Sequence, residues 1–362
     1  MSTFIHEPFA AIVGHYFTQG NKFDDVIKKL NSLDGRYVLT FDWGGGTLDI
    51  TVVYIKDGRM NEMGTSELTK MAGDKFDEDI ANFVWNDFCD KYGGKYTNEY
   101  LEMNKKRRWG KLLAIAERCK IELSKNEKTN FLLENVTGED GIDIDIDITR
   151  KDFELLIKNV ITAAMNKVDD ALAQAGIQDI NISHVLLTGG TCYIPAIKNA
   201  MKNKFGHRVE TIENPDLLIA QGAAVISELG WLPYLTKDIL IELSNDSFWP
   251  LFEHNTPLAA GQNIEKKEMF SCVDSTTKIA KVIIWEGIEQ KGDKTIGVLN
   301  VPILNNSKWG DDIEVRGIID NNIILRVSAR SMLIKGYSSS ENYSVRKITE
   351  INQLCFGLDI NG

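Results

Sequence analysis

The sequence predicts an α/β domain followed by an all-β domain. Up to about residue 235, β-branched extended runs alternate with segments of helical periodicity around two glycine turns. Beyond that point only short strand-like runs and turn residues follow, the pattern of a β-sandwich. A chain of 362 residues with 43% hydrophobic and 26% charged content suits two or three soluble globular domains with real cores.

Taken in order, Glu7–Phe17 has helical character, and Gly20 can end it. A charged helical stretch, Asp24–Leu33, closes at Asp34-Gly35. Tyr37–Asp42 and Asp49–Lys56 are extended runs flanking a triple glycine, and Asp57-Gly58 turns the chain afterwards. Lys75–Tyr92 reads as a helix stopped by Gly93-Gly94, and Asn104–Ser124 as another. Residues 142–148 alternate isoleucine with aspartate, a strand with one wet face. The alternation sends all three aspartates to solvent, so a surface strand is favoured over a metal site. Thr149 and Asp152 form a capping-box pattern before a helix whose buried stripe is Phe153, Leu156, Ile157, Val160, Ala164, Val168 and Leu172, with Gly176 as its stop. His184–Thr188 is a short buried strand, and Pro195–Phe205 and Asp216–Leu229 are helices. In the second half Val282–Trp285, Ile296–Val301, Ile313–Ile319 and Ile323–Ala329 read as strands, the last two joined by a tight turn at Asp320-Asn321-Asn322.

Composition excludes several function classes. Net charge is −11 without a basic block, so no nucleic-acid partner is expected. The run Lys105–Arg108 reads as a solvated helix face. The five cysteines are widely spaced with no Cys-x-x-Cys pair, which argues for a reducing compartment, small buried thiols and no structural zinc. No apolar run reaches membrane-spanning length, and the apolar N-terminal stretch 9–17 lacks a basic flank. A soluble cytoplasmic protein without a membrane partner is expected. His6 and His15 on the first helix read as surface or packing residues.

The two glycine turns carry the chemistry. The first is Asp42-Trp43-Gly44-Gly45-Gly46-Thr47-Leu48-Asp49, at the tip of a hairpin. Convergent backbone N–H groups bind phosphate, and a side chain there would hold the phosphate away. Thr47 adds a hydroxyl, and Asp42 and Asp49 bracket the turn with carboxylates able to hold magnesium through water. The second turn, Gly189-Gly190, stands between a strand and a helix N-terminus. Neither the P-loop pattern nor the dinucleotide fingerprint is present. Each turn alone also fits an ordinary tight turn; the pair in this order points to ATP or ADP.

At these residues a family resemblance becomes visible. Glu7-Pro8-x-Ala10-Ala11, the turn at 42–49, Gly73-x-x-Phe76-Asp77 and Glu117–Ser124 resemble successive landmarks of the DnaK-type seventy-kilodalton heat-shock chaperones. Thr149-Arg150-x-x-Phe153-Glu154, Gly189-Gly190-x-x-x-Ile194-Pro195, Asn214-Pro215-Asp216 and Gly222-Ala223-Ala224 follow in family order. Asn255-Thr256, Trp285-Glu286-Gly287 and Val327-Ser328-Ala329 extend the resemblance into the second half. It implies the second lobe of an actin-like (ribonuclease H-like) ATPase domain over 1–236 with an insert at about 74–150, an apolar interdomain linker at 237–243, and a substrate-binding-like β-sandwich over 244–362.

The resemblance also implies roles. Glu7, Asp42 and Thr47 would be catalytic, with Glu7 and Asp42 holding hydrated Mg2+. Gly44, Gly45, Gly46 and Thr47 would cradle the β- and γ-phosphates. Gly73, Glu117, Lys120, Ile121, Ser124, Gly189, Gly190, Tyr193 and Asp216 would complete the nucleotide site. Unfolded or extended peptide segments, co-chaperones and a chain supplying the first lobe are the partners implied. The first lobe, with its own phosphate loop and lysine, and the helical lid are expected to lie outside this chain, so little hydrolysis is expected from it alone.

Three positions depart from the family pattern. Tyr193 stands in place of an adenine-stacking arginine, Ala72 in place of a turn glycine, and Leu243–Asn255 is shorter than the first hairpin of the peptide groove. Within that short segment Ser247–Phe252 reads as core filling rather than as a contact surface. The function expected is an ATP-dependent chaperone or a portion of one. The alternative is a non-hydrolysing module that senses nucleotide or works through protein contacts. A sugar or glycerol kinase of the same superfold would share the glycine turns but not the C-terminal motifs.

Overall fold

A computed structural model describes residues 5–20, 22–137, 141–210, 212, 215–258, 262–271, 278–287, 294–303, 312–320, 322–332, 347–351, 354 and 356–360. The first half consists of α1 (Glu7–Gly20), α2 (Phe23–Ser32), β1 (Arg36–Trp43), β2 (Thr47–Lys56), β3 (Arg59–Thr69), α3 (Gly73–Tyr92), α4 (Asn98–Lys125), β4 (Lys128–Leu133), β5 (Ile144–Thr149), α5 (Arg150–Gln174), β6 (Ile182–Thr188), α6 (Pro195–Phe205), β7 (Val209–Glu210), α7 (Pro215–Leu229) and β8 (Leu232–Leu235). The second half holds β9 (Asp238–Glu242), β10 (Phe248–Phe252), β11 (Ile264–Ser271), β12 (Ile279–Gly287), β13 (Lys294–Pro302), β14 (Asp312–Ile319), β15 (Leu325–Ser331), β16 (Lys347–Ile351) and β17 (Phe356–Asp359).

A seven-stranded sheet, ordered β7-β6-β1-β2-β3-β17-β8, organises the α/β half. β1, β2 and β3 form an antiparallel meander, and β6 lies parallel to β1. Helices cover both faces. One core joins Phe41, Trp43 and Ile50 of the sheet to Phe76 of α3, Leu112 of α4, Phe153 and Ile157 of α5 and Ile197 of α6. The opposite core joins Val38 and Val53 to Ile12 of α1, Leu30 of α2 and Ile226 of α7. The α3–α4 pair and the β4–β5 ribbon stand outside the main sheet, where 144–149 pair with β4 and Asp143, Asp145 and Asp147 are exposed as expected.

α5 shows how the sequence sets its limits. Thr149 Oγ1 accepts the Asp152 N–H at 3.2 Å while the Asp152 carboxylate accepts the Thr149 N–H at 3.1 Å, a closed capping box. At the other end Gly176 takes φ +67°, and the Ile177 N–H returns to the Leu172 carbonyl at 3.1 Å, satisfying the last turn. Removing the cap in Thr149→Ala is expected to lower stability by about 1 kcal/mol, read from the urea midpoint, with the helix otherwise retained.

β3 escapes sequence pattern because it is polar and interrupted by Gly64. The structure gives the reason for that glycine: a Cβ there would lie 2.4 Å from the Ala171 carbonyl oxygen of α5. The helix therefore crosses β3 at backbone contact, which only glycine permits.

The second half is two four-stranded antiparallel sheets, β10-β9-β12-β13 and β11-β14-β15-β16, closing on a core that includes Ile241, Phe252, Ile284, Val301, Val315 and Val327. Two expected boundaries need correction. Residues 237–243, expected as an apolar interdomain linker, are mostly strand: Asp238–Glu242 is β9, paired with both β10 and β12, and its apolar residues are buried in the sandwich. An apolar five-residue run fits a buried strand as well as a docking linker, and the pairing decides. The sandwich also does not extend through 362, because Phe356–Asp359 leaves it and becomes β17 in the first sheet.

In the short segment after β9, Leu251 and Phe252 fill core, as expected of Ser247–Phe252, and they occupy the space left by Gly317 on β14. Trp249 on the same strand is 45% exposed, so the filling is one-sided. Cys119 and Cys192 are buried thiols and Cys89 is half-buried; Cys272 and Cys355 lie outside the described residues. Among the described residues no helix is long and apolar enough to cross a membrane.

Candidate functional site

The site forms where the first glycine turn, the second glycine turn and the α3–α4 pair meet. The Gly44 N–H closes the hairpin on the Thr47 carbonyl at 3.0 Å. That tight turn leaves Gly45, Gly46 and Thr47 exposed, and the Gly45 and Gly46 N–H groups donate to no other described residue. The carbonyls, by contrast, are all used. Gly44 O accepts the Gly73 N–H at 3.2 Å and the Thr191 hydroxyl at 2.8 Å. Gly45 O accepts the Asp74 N–H at 2.8 Å, and Gly46 O the Lys70 N–H at 3.0 Å. With every carbonyl engaged and the Gly45 and Gly46 N–H groups unpaired among the described residues, the exposed loop is able to receive an anion.

The second turn is locked to the first. Gly189 adopts φ +81°, and a Cβ there would fall 2.4 Å from the Trp43 carbonyl oxygen and 2.7 Å from Asp42 Oδ1. A side chain at 189 would thus wedge the two turns apart. Gly190 differs, with no atom within 4 Å of its Cβ position. A short 3-10 turn, Gly190–Tyr193, separates β6 from α6, so the helix begins at Pro195 rather than directly after the glycines.

Gly73 is the third close point. Its Cβ position lies 3.0 Å from Thr191 Oγ1, 3.3 Å from Gly45 Cα and 3.3 Å from Lys120 Nζ. Three distant segments therefore converge around one glycine. Lys120 donates to the Gly73 carbonyl at 3.1 Å and to Asp77 Oδ2 at 2.8 Å. Asp77 is buried, its Oδ1 has no hydrogen-bond partner, and burial pushes its carboxyl up to about 6 against the pull of Lys120. The Lys120–Asp77 pair thus ties α4 to the start of α3 beside the first glycine turn. Ala72, where the resemblance expects glycine, has φ −135°, a conformation open to any residue.

Glu7 opens α1 and faces Asp42. Burial, then the negative charge of Glu7 and then that of Asp49 push the Asp42 carboxyl up to about 6. Thr47 Oγ1 donates to Asp49 Oδ2 at 2.9 Å, so its hydroxyl is engaged within the turn. Among the described residues no three acidic, imidazole or thiol side chains converge to ligate a metal directly. The donor set fits a hydrated divalent cation, held through water and phosphate, that would relieve the crowding of carboxylates around Asp42.

On α4, Glu117 lies close enough to raise Asp77, Ser124 Oγ donates to the Lys120 carbonyl at 3.1 Å, and Ile121 is 52% exposed. These residues share the helix face of Lys120 by their i, i+3, i+4, i+7 spacing. Tyr193 carries the Lys198 ammonium over its ring at 5.3 Å from the centroid. The side chain of Asp216, at the start of α7, and Asn214 lie outside the described residues. Sequence reasoning missed Asp74, Asp77 and Thr191 as site residues. Their motifs are readable, but no spacing joins 73–77 to 120 or 191 to 44; only the packing of α3 on α4 and of the two turns does. His6 is exposed and bonded to Glu62 at 2.9 Å, and the buried His15 meets Glu210 at 2.5 Å, so both hold surface or packing positions.

The raised Asp42 carboxyl has a measurable consequence. Its folded value lies above the ordinary 3.8, so the nucleotide-free protein is favoured below pH 3.8 and loses that contribution as pH rises through about 6. Asp42→Asn removes the buried charge. It is expected to stabilise the nucleotide-free protein at pH 7 by on the order of 1 kcal/mol, discounted for partial solvent access. Thermal melts from pH 4 to 8 should show the advantage appear across the titration and level off above it; an advantage that ignores pH would refute the assignment.

An α/β sheet flanked by helices, followed by an all-β sandwich, is the architecture of an actin-like lobe joined to a β-sandwich. A family model described as Hsp70 protein matches residues 7–353, and the chain belongs to that family. It is similar to "Chaperone protein dnaK" of Emiliania huxleyi, 28% identical over 340 residues, which covers 89% of this chain and 53% of that protein. The chain spans about half the length of this curated relative.

Proposed function

We propose that this chain supplies the nucleotide-binding wall and the substrate-binding-like sandwich of a DnaK-type chaperone, holding ATP or ADP with Mg2+. The observation that supports it is the convergence of Gly45, Thr191 and Lys120 on Gly73, with the exposed Gly45 and Gly46 N–H groups unpaired among the described residues. Gly44–Gly46, Gly189 and Gly190 would line the phosphate tail, Lys120 would meet the ribose, and Glu117, Ile121, Ser124, Tyr193 and Asp216 would surround the nucleoside. Glu7 and Asp42 would hold Mg2+ through water, and with Thr47 would orient the attacking water. When bound, Mg2+ supplies positive charge to the phosphate tail.

The phosphate side of the site carries carboxylates, and Lys120 is occupied by Asp77. Phosphoryl transfer depends on convergent positive charge, so these residues are expected to bind nucleotide without rapid turnover. Further basic groups from a partner, such as a chain supplying the complementary lobe, would be needed for hydrolysis. Extended peptide segments are the proposed ligands of the sandwich, and co-chaperones its proposed regulators, in a cytoplasmic stress-response setting. The same acidic phosphate side favours a second reading, a module that senses nucleotide without hydrolysing it.

Calorimetric titration with Mg-ADP and Mg-ATP tests the site. Micromolar binding is the expected result; absence of binding up to millimolar nucleotide would overturn it. Phosphate release measured on the same sample separates the two readings, since turnover from the chain alone would exclude the sensing module.

A further inference from the structure

The route by which the chain enters and leaves the sandwich is built into the first sheet. It departs at β8 and returns as β17, and β17 lies between β8 and β3. Gly357, Leu358 and Asp359 pair antiparallel with Asn61, Met60 and Arg59 on one side. On the other, 356–359 pair with 235–232. β8 is the outer strand of this sheet, so its attachment to the meander runs through β17. β8 also ties down the segment that follows β10: Asn255 N–H donates to the Leu235 carbonyl at 2.7 Å, Leu235 N–H to Thr256 at 3.1 Å and Leu258 N–H to Pro233 at 2.7 Å.

Side chains close the same junction. Gly357 accommodates the Tyr234 ring, which stands 2.4 Å from its Cβ position. The Tyr234 hydroxyl donates to Asn61 Oδ1 at 2.7 Å. Arg59 lies over the Tyr234 ring at 5.0 Å, donates to Asn255 Oδ1 at 2.6 Å and pairs with Asp359 at 3.5 Å. Leu358 and Ile360 are buried in the core under α1, α2 and α7, while Leu235 is buried in the sandwich core. One arginine thus touches three segments, and two hydrophobic cores share one ribbon.

We propose that β17 is a clasp that holds the sandwich on the α/β lobe as one body, with or without nucleotide. A single extended linker lets two domains separate freely; a paired ribbon anchored in both cores does so only by pulling a strand out of the middle of a sheet. The claim of one body stands on the pairing alone; its independence of nucleotide rests on the proposed site.

Hydrogen exchange and small-angle scattering on the full chain test it, using Gly357→Val to displace β17 from Tyr234 and Arg59→Ala to loosen the junction without overpacking. In the unmodified protein the amides of Leu358 and Ile360 should be protected, and the radius of gyration unchanged by Mg-ADP. Either variant should lose at least tenfold protection in both β17 and β8, and Gly357→Val should scatter as a larger particle while the exchange of α5 stays native. Should Gly357→Val fail to fold, Arg59→Ala carries the comparison. Unprotected β17 in the unmodified protein, exchange in β17 and β8 that neither variant alters, or expansion on adding Mg-ADP would overturn the clasp. Failure of Mg-ADP to bind in the calorimeter would refute the nucleotide site and with it the independence of nucleotide, and the claim of one body is then judged by nucleotide-free exchange and scattering.

Discussion

Gly190→Asp is expected to abolish nucleotide binding while leaving the fold intact. No atom lies within 4 Å of the Cβ position at 190, so the side chain enters open space without disturbing β6 or the 3-10 turn. The carboxylate then projects into a site already crowded by Asp42 and Asp74. It would face a phosphate tail across a few ångströms, where like charges cost several kcal/mol in a partly dry cleft. A loss of at least a hundredfold in Mg-ADP affinity is expected by calorimetry, with the melting temperature within a few degrees of the unmodified protein. Unchanged affinity would exclude the proposed site. The neighbouring Gly189→Ala forms the contrast. Its methyl would meet the Trp43 carbonyl at 2.4 Å in a left-handed backbone, so it should lose stability and binding together.

The second large effect concerns the helix pair that positions Glu7. α1 and α7 cross at glycines: a Cβ on Gly222 would lie 1.8 Å from the Ala10 carbonyl oxygen, and one on Gly14 would lie 2.1 Å from that of Leu218. Gly222→Ala improves helix propensity by about 1 kcal/mol, yet it is expected to destabilise by about 3 kcal/mol because backbone must move to admit the methyl. Separating the helices would also shift the start of α1 and carry Glu7 away from Asp42. Gly110→Ala on α4 is the control, with nothing within 4 Å of its Cβ position, and should stabilise by about 0.5 to 1 kcal/mol. Urea titrations of the two alanine variants should move in opposite directions; movement in the same direction would refute the close crossing.

Much of this site was legible before any fold was known. Glycine reports its backbone role directly, so 44–46 and 189–190 stood out, and carboxylates at 42 and 49 marked the hairpin tip. Gly190 and Gly189 nonetheless turned out to differ, one open and one wedged against Trp43, which residue identity cannot show. Asp77 was visible only as part of a motif. Its value lies in the ammonium of Lys120, a partner 43 positions away that packing alone brings near.

The local elements whose signals are contained within a few turns follow from the residues alone. α5 has its capping box, its stripe and its glycine stop in one continuous stretch, and the β1–β2 hairpin has its turn between two β-branched runs. The alternation at 142–148 likewise assigned wet and dry faces correctly. Membership of sheets emerges with the three-dimensional packing. β3 was hidden by polarity that α5 makes harmless, β9 resembled a linker because an apolar run looks the same docked or paired, and β17 was invisible as a four-residue strand. Hydrophobic period measures which face is buried, not which strand lies beside it. Pairing is fixed by backbone hydrogen bonds to partners that can lie far along the chain, as Leu358 does from Met60, and that is how β17 came to lie between the meander and the chain leading to the sandwich.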